Sequence, residues 1–334
     1  MEASPLGPSR KVKAAIRKAV KEINTLPGEE LARLERLFLS KYGIGNNSLL
    51  FANSLKELLF VICRRLQPRK VLIIGPALNI YQEAALASGA VIESIPASEE
   101  GSFFPDIQEL SKKAGGCDLV FIANPNRISG KALSAAALNE IVDALSLKDC
   151  VAVIDESLIE FTGHEGCIRS AASSSNCIVL RTTACYYGLP GLELAWATAD
   201  PKMIESLRRG LQSDPSIPAM EAARTALKDK SYRRLTEQFM IEEKRLLRKA
   251  ISRMSGMIMY DSDTNIFLLK APGMAVDIAD RAGRAGLAVQ LCGDIDELSD
   301  SYLRISVMKH DHNLKLIRLM LEISDEQAGK GNNS

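Results

Sequence analysis

Between residues 49 and 200 short apolar runs alternate with amphipathic stretches, and this alternation most constrains the fold. The runs are "SLLFAN", "KVLIIG", "AVIESIP", "DLVFIAN", "CVAVIDE", "CIVLRTT" and "LAWATAD". Most are nearly continuous in Val, Ile, Leu and Ala, the pattern of strands buried on both faces of a parallel sheet. Between them "SLKELLFVICRRL", "NIYQEAALASG" and "SAAALNEIVDALS" carry helical apolar spacing. Strand and helix in alternation predict an α/β domain with a mainly parallel, doubly wound sheet.

After residue 200 the pattern changes. A long charged stretch, "YRRLTEQFMIEEKRLLRKAISRM", precedes the short segments "TNIFLLKAP", "LAVQLCG" and "YLRISVM", with helices between and after them. This reads as a smaller α+β domain. The expected division is a large domain at 46–210, a small domain made of 1–45 plus 211–325, and a disordered tail at 326–334. The methionines of "RMSGMIM" read as core filling.

Composition limits the function classes. Formal net charge is +1 with 25% charged residues, so neither nucleic acid nor a membrane surface has electrostatic support as a partner. The start of the chain lacks the apolar stretch of a secretory signal, and a cytoplasmic location is the expectation. The seven cysteines are scattered among apolar neighbours without a CxxC pair, as free thiols of a reducing compartment would be. His310 and His312 supply only two ligands, so no metal site is expected.

Two turns carry candidate chemistry. "FIANPNRISG" places Asn124, Pro125, Asn126 and Gly130 after a buried strand, at the sheet edge where ligands of open α/β sheets bind. "VAVIDESLIEF" ends an apolar run on Asp155. A carboxylate there answers a cationic ligand atom or caps the following turn, and the sequence leaves both readings open.

With these segments in order, the chain resembles the class I/II pyridoxal-phosphate aminotransferase superfamily of fold type I, most of all histidinol-phosphate aminotransferase and threonine-phosphate decarboxylase. The resemblance runs from "SPLGPSRKVKAAIRKAVKEINTLPGEELARLERLFLSKYGI" through "NPNRISG", "VIDESLIEF" and "LRTTACYYGLPGLELAW" to "SYLRISV". It implies a lysine that forms an imine with the cofactor, an aspartate on the pyridine nitrogen, and hydrogen bonds to the ring hydroxyl. It also implies a cradle for the phosphate and an arginine for the substrate carboxylate. A homodimer with its sites at the interface is implied as well.

Carried over position by position, the aspartate is Asp155, the carboxylate-binding arginine is Arg304, and the first Asn-Pro of "NPNNPTG" is Asn124-Pro125. Thr182 replaces a phosphate-binding serine conservatively, and Tyr81 remains beside the ring-stacking position, which is Leu78. The other positions depart. The lysine position is Cys185, the phosphate-binding arginine is Glu193, and the asparagine before the motif's second proline is Arg127. Two tyrosines become Leu26 and Leu158, the phosphate turn becomes "NSLKE" with Leu55 in it, and a further basic position becomes Gln290. A thiol cannot form the imine, and a carboxylate beside a phosphate is repulsive, so no cofactor is expected. Cys185 has no histidine near it in sequence and reads as an inert filler rather than a nucleophile. The residues expected at the site are therefore Asp155, Asn124, Thr182, Lys56, Arg127 and Tyr81 around Cys185, with Arg304 for a substrate.

The function expected is that of a catalytically degenerate relative with a binding or regulatory role in amino-acid or cobamide metabolism. Such a protein would act as a homodimer or as a heteromer with an active relative, and would take a small anionic ligand. The alternative is an active aminotransferase or amino-acid-phosphate decarboxylase in which Lys56, Arg127 and Arg304 hold the ligand and pyridoxal phosphate is retained. Pro190-Gly191 and Gly130 are expected to keep the turns.

Overall fold

The computed structural model describes residues 2–96, 99, 103–104, 107–295 and 298–331. All seven apolar runs form strands: β1 Leu49–Ala52, β2 Lys70–Ile74, β3 Val91–Ile95, β4 Leu119–Ala123, β5 Val151–Asp155, β6 Cys177–Thr182 and β7 Ala195–Thr198. They make one sheet in the order β1-β7-β6-β5-β4-β2-β3. The strands β3, β2, β4, β5 and β6 pair in parallel, while β7 runs antiparallel to both β6 and β1. The parallel strands end together, so Asp155 on β5 and Thr182 on β6 share the C-terminal edge.

Helices cover both faces. They are α1 Arg10–Ala19, α2 Gly28–Tyr42, α3 Leu55–Leu66, α4 Asn79–Ala87, α5 Ile107–Ala114, α6 Ala135–Ser146, the short α7 Ile168–Ala171, α8 Pro201–Arg208 and α9 Ile217–Lys228. Leu58, Leu59 and Ile62 of α3 and Tyr81 of α4 pack with Leu50, Phe121 and Leu180 on one face. Phe38 of α2 packs edge-on to Trp196 of β7 and Phe51 of β1, at 4.9 Å from each, on the opposite face.

This second contact departs from the expected division. α2 and α9 bury Leu34, Phe38, Ile217 and Met220 against the large sheet, and α1 lies on α9. Neither 1–45 nor the segment up to 228 joins the core of the smaller sheet. Their apolar faces match the flat aromatic surface of β1 and β7, a match that helical periodicity alone does not reveal.

The smaller unit is built from β8 Ile258–Met259, β9 Ile266–Lys270, β10 Val289–Leu291 and β11 Tyr302–Ser306 in the order β10-β11-β9-β8. All its pairings are antiparallel. Helices α10 Lys230–Ile251, α11 Ala275–Arg284 and α12 His310–Gly331 pack on it through Leu247, Ile278 and Met320. The two-residue β8 lies inside "RMSGMIM". The tail expected to be disordered from 326 continues as α12 to Gly331, and 332–334 lie outside the described residues.

Gly130 joins the two units. It has φ +75°, and a Cβ there would stand 2.2 Å from Ser262 Oγ and 2.6 Å from the Ile266 carbonyl. In the "GLPG" turn the demand for glycine falls on Gly188, not Gly191. Gly188 has φ +63° and a Cβ would meet Gly7 Cα at 2.7 Å, whereas nothing approaches Gly191. Pro190 opens a turn of 3-10 helix.

Candidate functional site

Asp155, at the end of β5, is buried and fully engaged. Its Oδ2 accepts the Tyr81 hydroxyl at 2.6 Å and faces an Nη of Arg127 at 3.3 Å. Its Oδ1 accepts the Ser157 amide at 2.9 Å and the Ser157 hydroxyl. Four donors around two oxygens fill the acceptor capacity of a carboxylate. Burial pushes the Tyr81 hydroxyl far above its ordinary value, and Asp155 adds to this, so Tyr81 stays protonated and donates to Asp155.

Arg127 comes from the turn after β4. Asn126 shapes that turn, its Oδ1 accepting the amides of Ile128 and Ser129 at 2.9 Å each. The guanidinium bridges Asp155 to the carboxylate of Glu2, which also pairs with Arg304 of β11. An alternating chain of charges results: Asp155, Arg127, Glu2, Arg304. Burial alone would pull the Arg127 guanidinium down, but Glu2 and Asp155 hold it charged. Burial would raise the Glu2 carboxyl, and Arg127 and Arg304 more than reverse this, so it lies below its ordinary value. Arg304 also donates to Gln290 Oε1 at 3.0 Å.

The N-terminal arm that carries Glu2 is pinned along its length. The Glu2 carbonyl accepts Asn265 Nδ2 at 2.8 Å, and the Ser4 amide donates to the Cys185 carbonyl at 2.7 Å. Tyr232 of α10 donates its hydroxyl to the Gly7 carbonyl at 2.9 Å. The sequence offered no sign of Glu2, whose partners lie 125 and 302 positions away.

Cys185 sits beneath this arm, in van der Waals company with Leu158 and Ile266. Its thiol points at Glu2 Oε2 over 3.9 Å. Burial, reinforced by Glu2, pushes the thiol far up, so it stays neutral and non-nucleophilic.

The N-terminus of α3 is satisfied from within. Ser54 caps the Glu57 amide at 3.1 Å, and Glu57 accepts the Asn53 amide, one residue before the N-cap, at 2.9 Å, a variant of the capping box in "NSLKE". The Leu55 amide donates to Glu193 Oε1 at 3.1 Å, and the Thr182 hydroxyl reaches the same oxygen at 2.6 Å. Glu193 thus provides an anion at a helix N-terminus, where the dipole and free amides favour one.

Among the expected site residues the structure brings Thr182, Cys185, Lys56 and Arg127 around one cavity of about 240 Å³, which Glu2 and Glu193 also line. Asp155 and Tyr81 adjoin it through Arg127, and Arg304 through Glu2. Asn124 lies apart: it is buried and closes its own turn, accepting the Leu133 amide at 2.7 Å. Lys56 pairs with Glu83 at 2.8 Å on the surface. Leu26 is 91% exposed on the connection between α1 and α2, far from the apolar neighbours that its side chain would seek. Among the described residues no cluster of three or more His, Cys, Asp or Glu side chains could hold a metal, and His310 binds Glu243 instead. Within the same residues no helix is long and apolar enough to cross a membrane.

The sequence profile of aminotransferase class I and II matches residues 3–318. The chain is 28% identical over 325 residues to histidinol-phosphate aminotransferase 2 of Archaeoglobus fulgidus, covering 96% of this chain and 91% of that protein. It is 23% identical over 323 residues to threonine-phosphate decarboxylase of Salmonella typhimurium, covering 96% and 89%. The crystal structure of histidinol-phosphate aminotransferase from Clostridium acetobutylicum superposes with a TM-score of 0.90 at 18% identity, over 98% of each chain. The fold is therefore that of the fold type I aminotransferases.

Proposed function

The chain belongs to the aminotransferase class I and II family, and we propose that within it this protein is a catalytically degenerate member that acts by binding rather than by pyridoxal-phosphate chemistry. The observation that carries this reading is the charge chain Asp155–Arg127–Glu2–Arg304. In it every group that would grip a cofactor or substrate already grips another part of the same chain.

Each end of a bound pyridoxal phosphate has an internal counterpart. The Arg127 guanidinium stands on Asp155, where a protonated pyridine nitrogen would bind. The Glu193 carboxylate stands at the α3 N-terminus, where a phosphate would bind, and Glu2 stands on Arg304, where a substrate carboxylate would bind. Cys185 offers no amine for an imine. This residue set does not fit the cofactor: Glu193 and the phosphate would be two anions competing for the same donors. The active-enzyme reading asks Lys56 and Arg127 to hold the phosphate, yet both are engaged, with Glu83 and with Asp155 and Glu2.

Histidinol-phosphate aminotransferase and threonine-phosphate decarboxylase are the names of the similar proteins, so amino-acid or cobamide metabolism is the setting we propose. A small carboxylate that displaces Glu2 from Arg127 and Arg304 is the ligand that suits the site. We also propose that the protein assembles, as a homodimer or with an active relative. The exposed apolar side chains Val20, Ile23 and Leu26 before α2 support a covered surface there.

The reading is tested by mixing the purified protein with pyridoxal phosphate, desalting, and treating with borohydride. We expect no aldimine absorbance and no mass increase. A stoichiometric, borohydride-trapped adduct would sink the proposal.

A further inference from the structure

Asp155 and Glu156 are consecutive at the end of β5, so their side chains leave the sheet on opposite faces. Asp155 serves the site described above. Glu156 turns to the other face, where it is completely buried and pairs with Arg181 at 2.7 Å. Arg181 is held further by the Glu165 carbonyl at 2.5 Å and lies 5.2 Å above the Tyr42 ring.

This rigid pair backs a separate cavity of about 330 Å³, lined by Lys41, Tyr42, Glu160, Arg169, Arg181 and Arg233 among others. Both carboxylate oxygens of Glu160 are buried, and neither has a hydrogen-bond partner. A buried polar group left unpaired is costly and rare in a native protein. Burial pushes the Glu160 carboxyl up, and the pull of Arg181, Lys41 and the residue's own backbone amide does not reverse this.

The rim carries the opposite charge. Lys41 from the end of α2 and Arg233 from α10 are exposed cations on the cavity wall. The Arg233 guanidinium hydrogen-bonds the Tyr187 side chain and Lys41 Nζ lies 5.5 Å from the Tyr42 ring centre, and Glu160 is the carboxylate whose charge supports both cations across the space. Arg169 is already bound to the Tyr42 carbonyl at 3.0 Å and to Glu165 at 3.7 Å. The remaining ionisable groups facing the space are Glu165 and His164, both exposed.

We infer that this cavity binds a small zwitterion whose ammonium or N–H end meets Glu160 and whose carboxylate or phosphate end meets Lys41 and Arg233. A plain anion leaves Glu160 without donors and sets two anions together. A plain amine faces four cationic side chains. Only a molecule carrying both ends satisfies both demands. The site does not depend on the state of the Asp155 face.

The test uses the full chain and calorimetric titration with glycine, 4-aminobutyrate and 6-aminohexanoate, set against acetate and butylamine as the two halves. At least one zwitterion is expected to bind about tenfold or more tighter than either half. Glu160→Gln and Arg233→Gln should each weaken that binding by about tenfold or more, with thermal stability retained in Arg233→Gln and retained or raised in Glu160→Gln. The inference is overturned if no zwitterion binds, if a half binds as tightly as the whole, or if binding survives both substitutions. Loss of binding in Arg304→Gln with Glu160→Gln unaffected would place the ligand on the other face and overturn it equally.

Discussion

The Thr182 hydroxyl donates to the Glu193 carboxylate over 2.6 Å, and the Leu55 amide at the start of α3 reaches the same oxygen. A side chain of the protein thereby occupies the anion position of a helix N-terminus. Glu193→Ala would leave a hydroxyl and a helix amide without their acceptor, at a cost of about 1–3 kcal/mol for a charge-assisted bond. Urea unfolding measures it, and an unchanged midpoint would mean that water replaces the carboxylate without loss.

Glu2 and Arg304 are 302 positions apart in sequence yet paired in a largely buried setting. Removing one partner strands the other, so Arg304→Ala and Glu2→Ala should each destabilise by about 3 kcal/mol. The double variant should cost less than the two losses added, with a coupling of about 1–3 kcal/mol. Additive losses in a double-mutant cycle would show that the arm is not held by this pair.

Acid should release the arm. Arg127 and Arg304 overcome the effect of burial and hold the Glu2 carboxyl below its ordinary value of 4.5. A depressed carboxyl contributes stability above its unfolded value and loses that contribution as pH falls through the folded value. The stability difference between the wild type and Glu2→Gln should therefore be constant near neutrality and shrink as pH drops below about 4.5. A difference that does not change with pH would refute the pairing.

Glu160 should behave with the opposite sign. Burial raises its carboxyl, so the folded state carries a penalty at neutral pH that is relieved as pH falls through the raised value. Glu160→Gln is expected to raise the melting temperature at pH 8 by a few degrees and to flatten the rise in stability toward pH 5. A lower melting temperature at pH 8 would show that the carboxylate is satisfied in solution.

The Cys185 thiol should be inert for as long as the arm is in place. Each of the seven cysteines is buried, so an aromatic disulfide reagent should titrate none of them rapidly in the native protein. Removal of residues 1–4 should open Cys185 to labelling, while burial of the other six is unaffected. Rapid labelling of Cys185 in the intact chain would contradict the docking of Glu2 and Ser4 over it.

Much of this architecture was legible in the sequence. Most of the seven large-domain strands are marked by nearly continuous apolar runs, β3 with Glu93 and Ser94 being the exception, and β9, β10 and β11 by short ones. β8 was not separable, because two residues carry no periodicity. The assignment of α2 and α9 failed because amphipathicity shows that a helix has an apolar face but not which sheet receives it. At the site the sequence revealed which residue types stand out of place, but not what they do. Arg127 reads as a lost asparagine and, in the active-enzyme alternative, as one of the groups holding the ligand, whereas it pairs with Asp155 from the turn that Asn126 shapes. Glu2 was invisible because its meaning arises only when residues from both ends of the chain meet.

Whether the chain fills its own site decides whether a cofactor can enter it. A crystal structure of the intact protein grown with millimolar pyridoxal phosphate tests this directly. We predict density for the Glu2 carboxylate between Arg127 and Arg304 and for the Glu193 carboxylate on Thr182 and Leu55, with no cofactor between them. A pyridoxal ring on Asp155, with Arg127 swung away and the arm displaced, would contradict it.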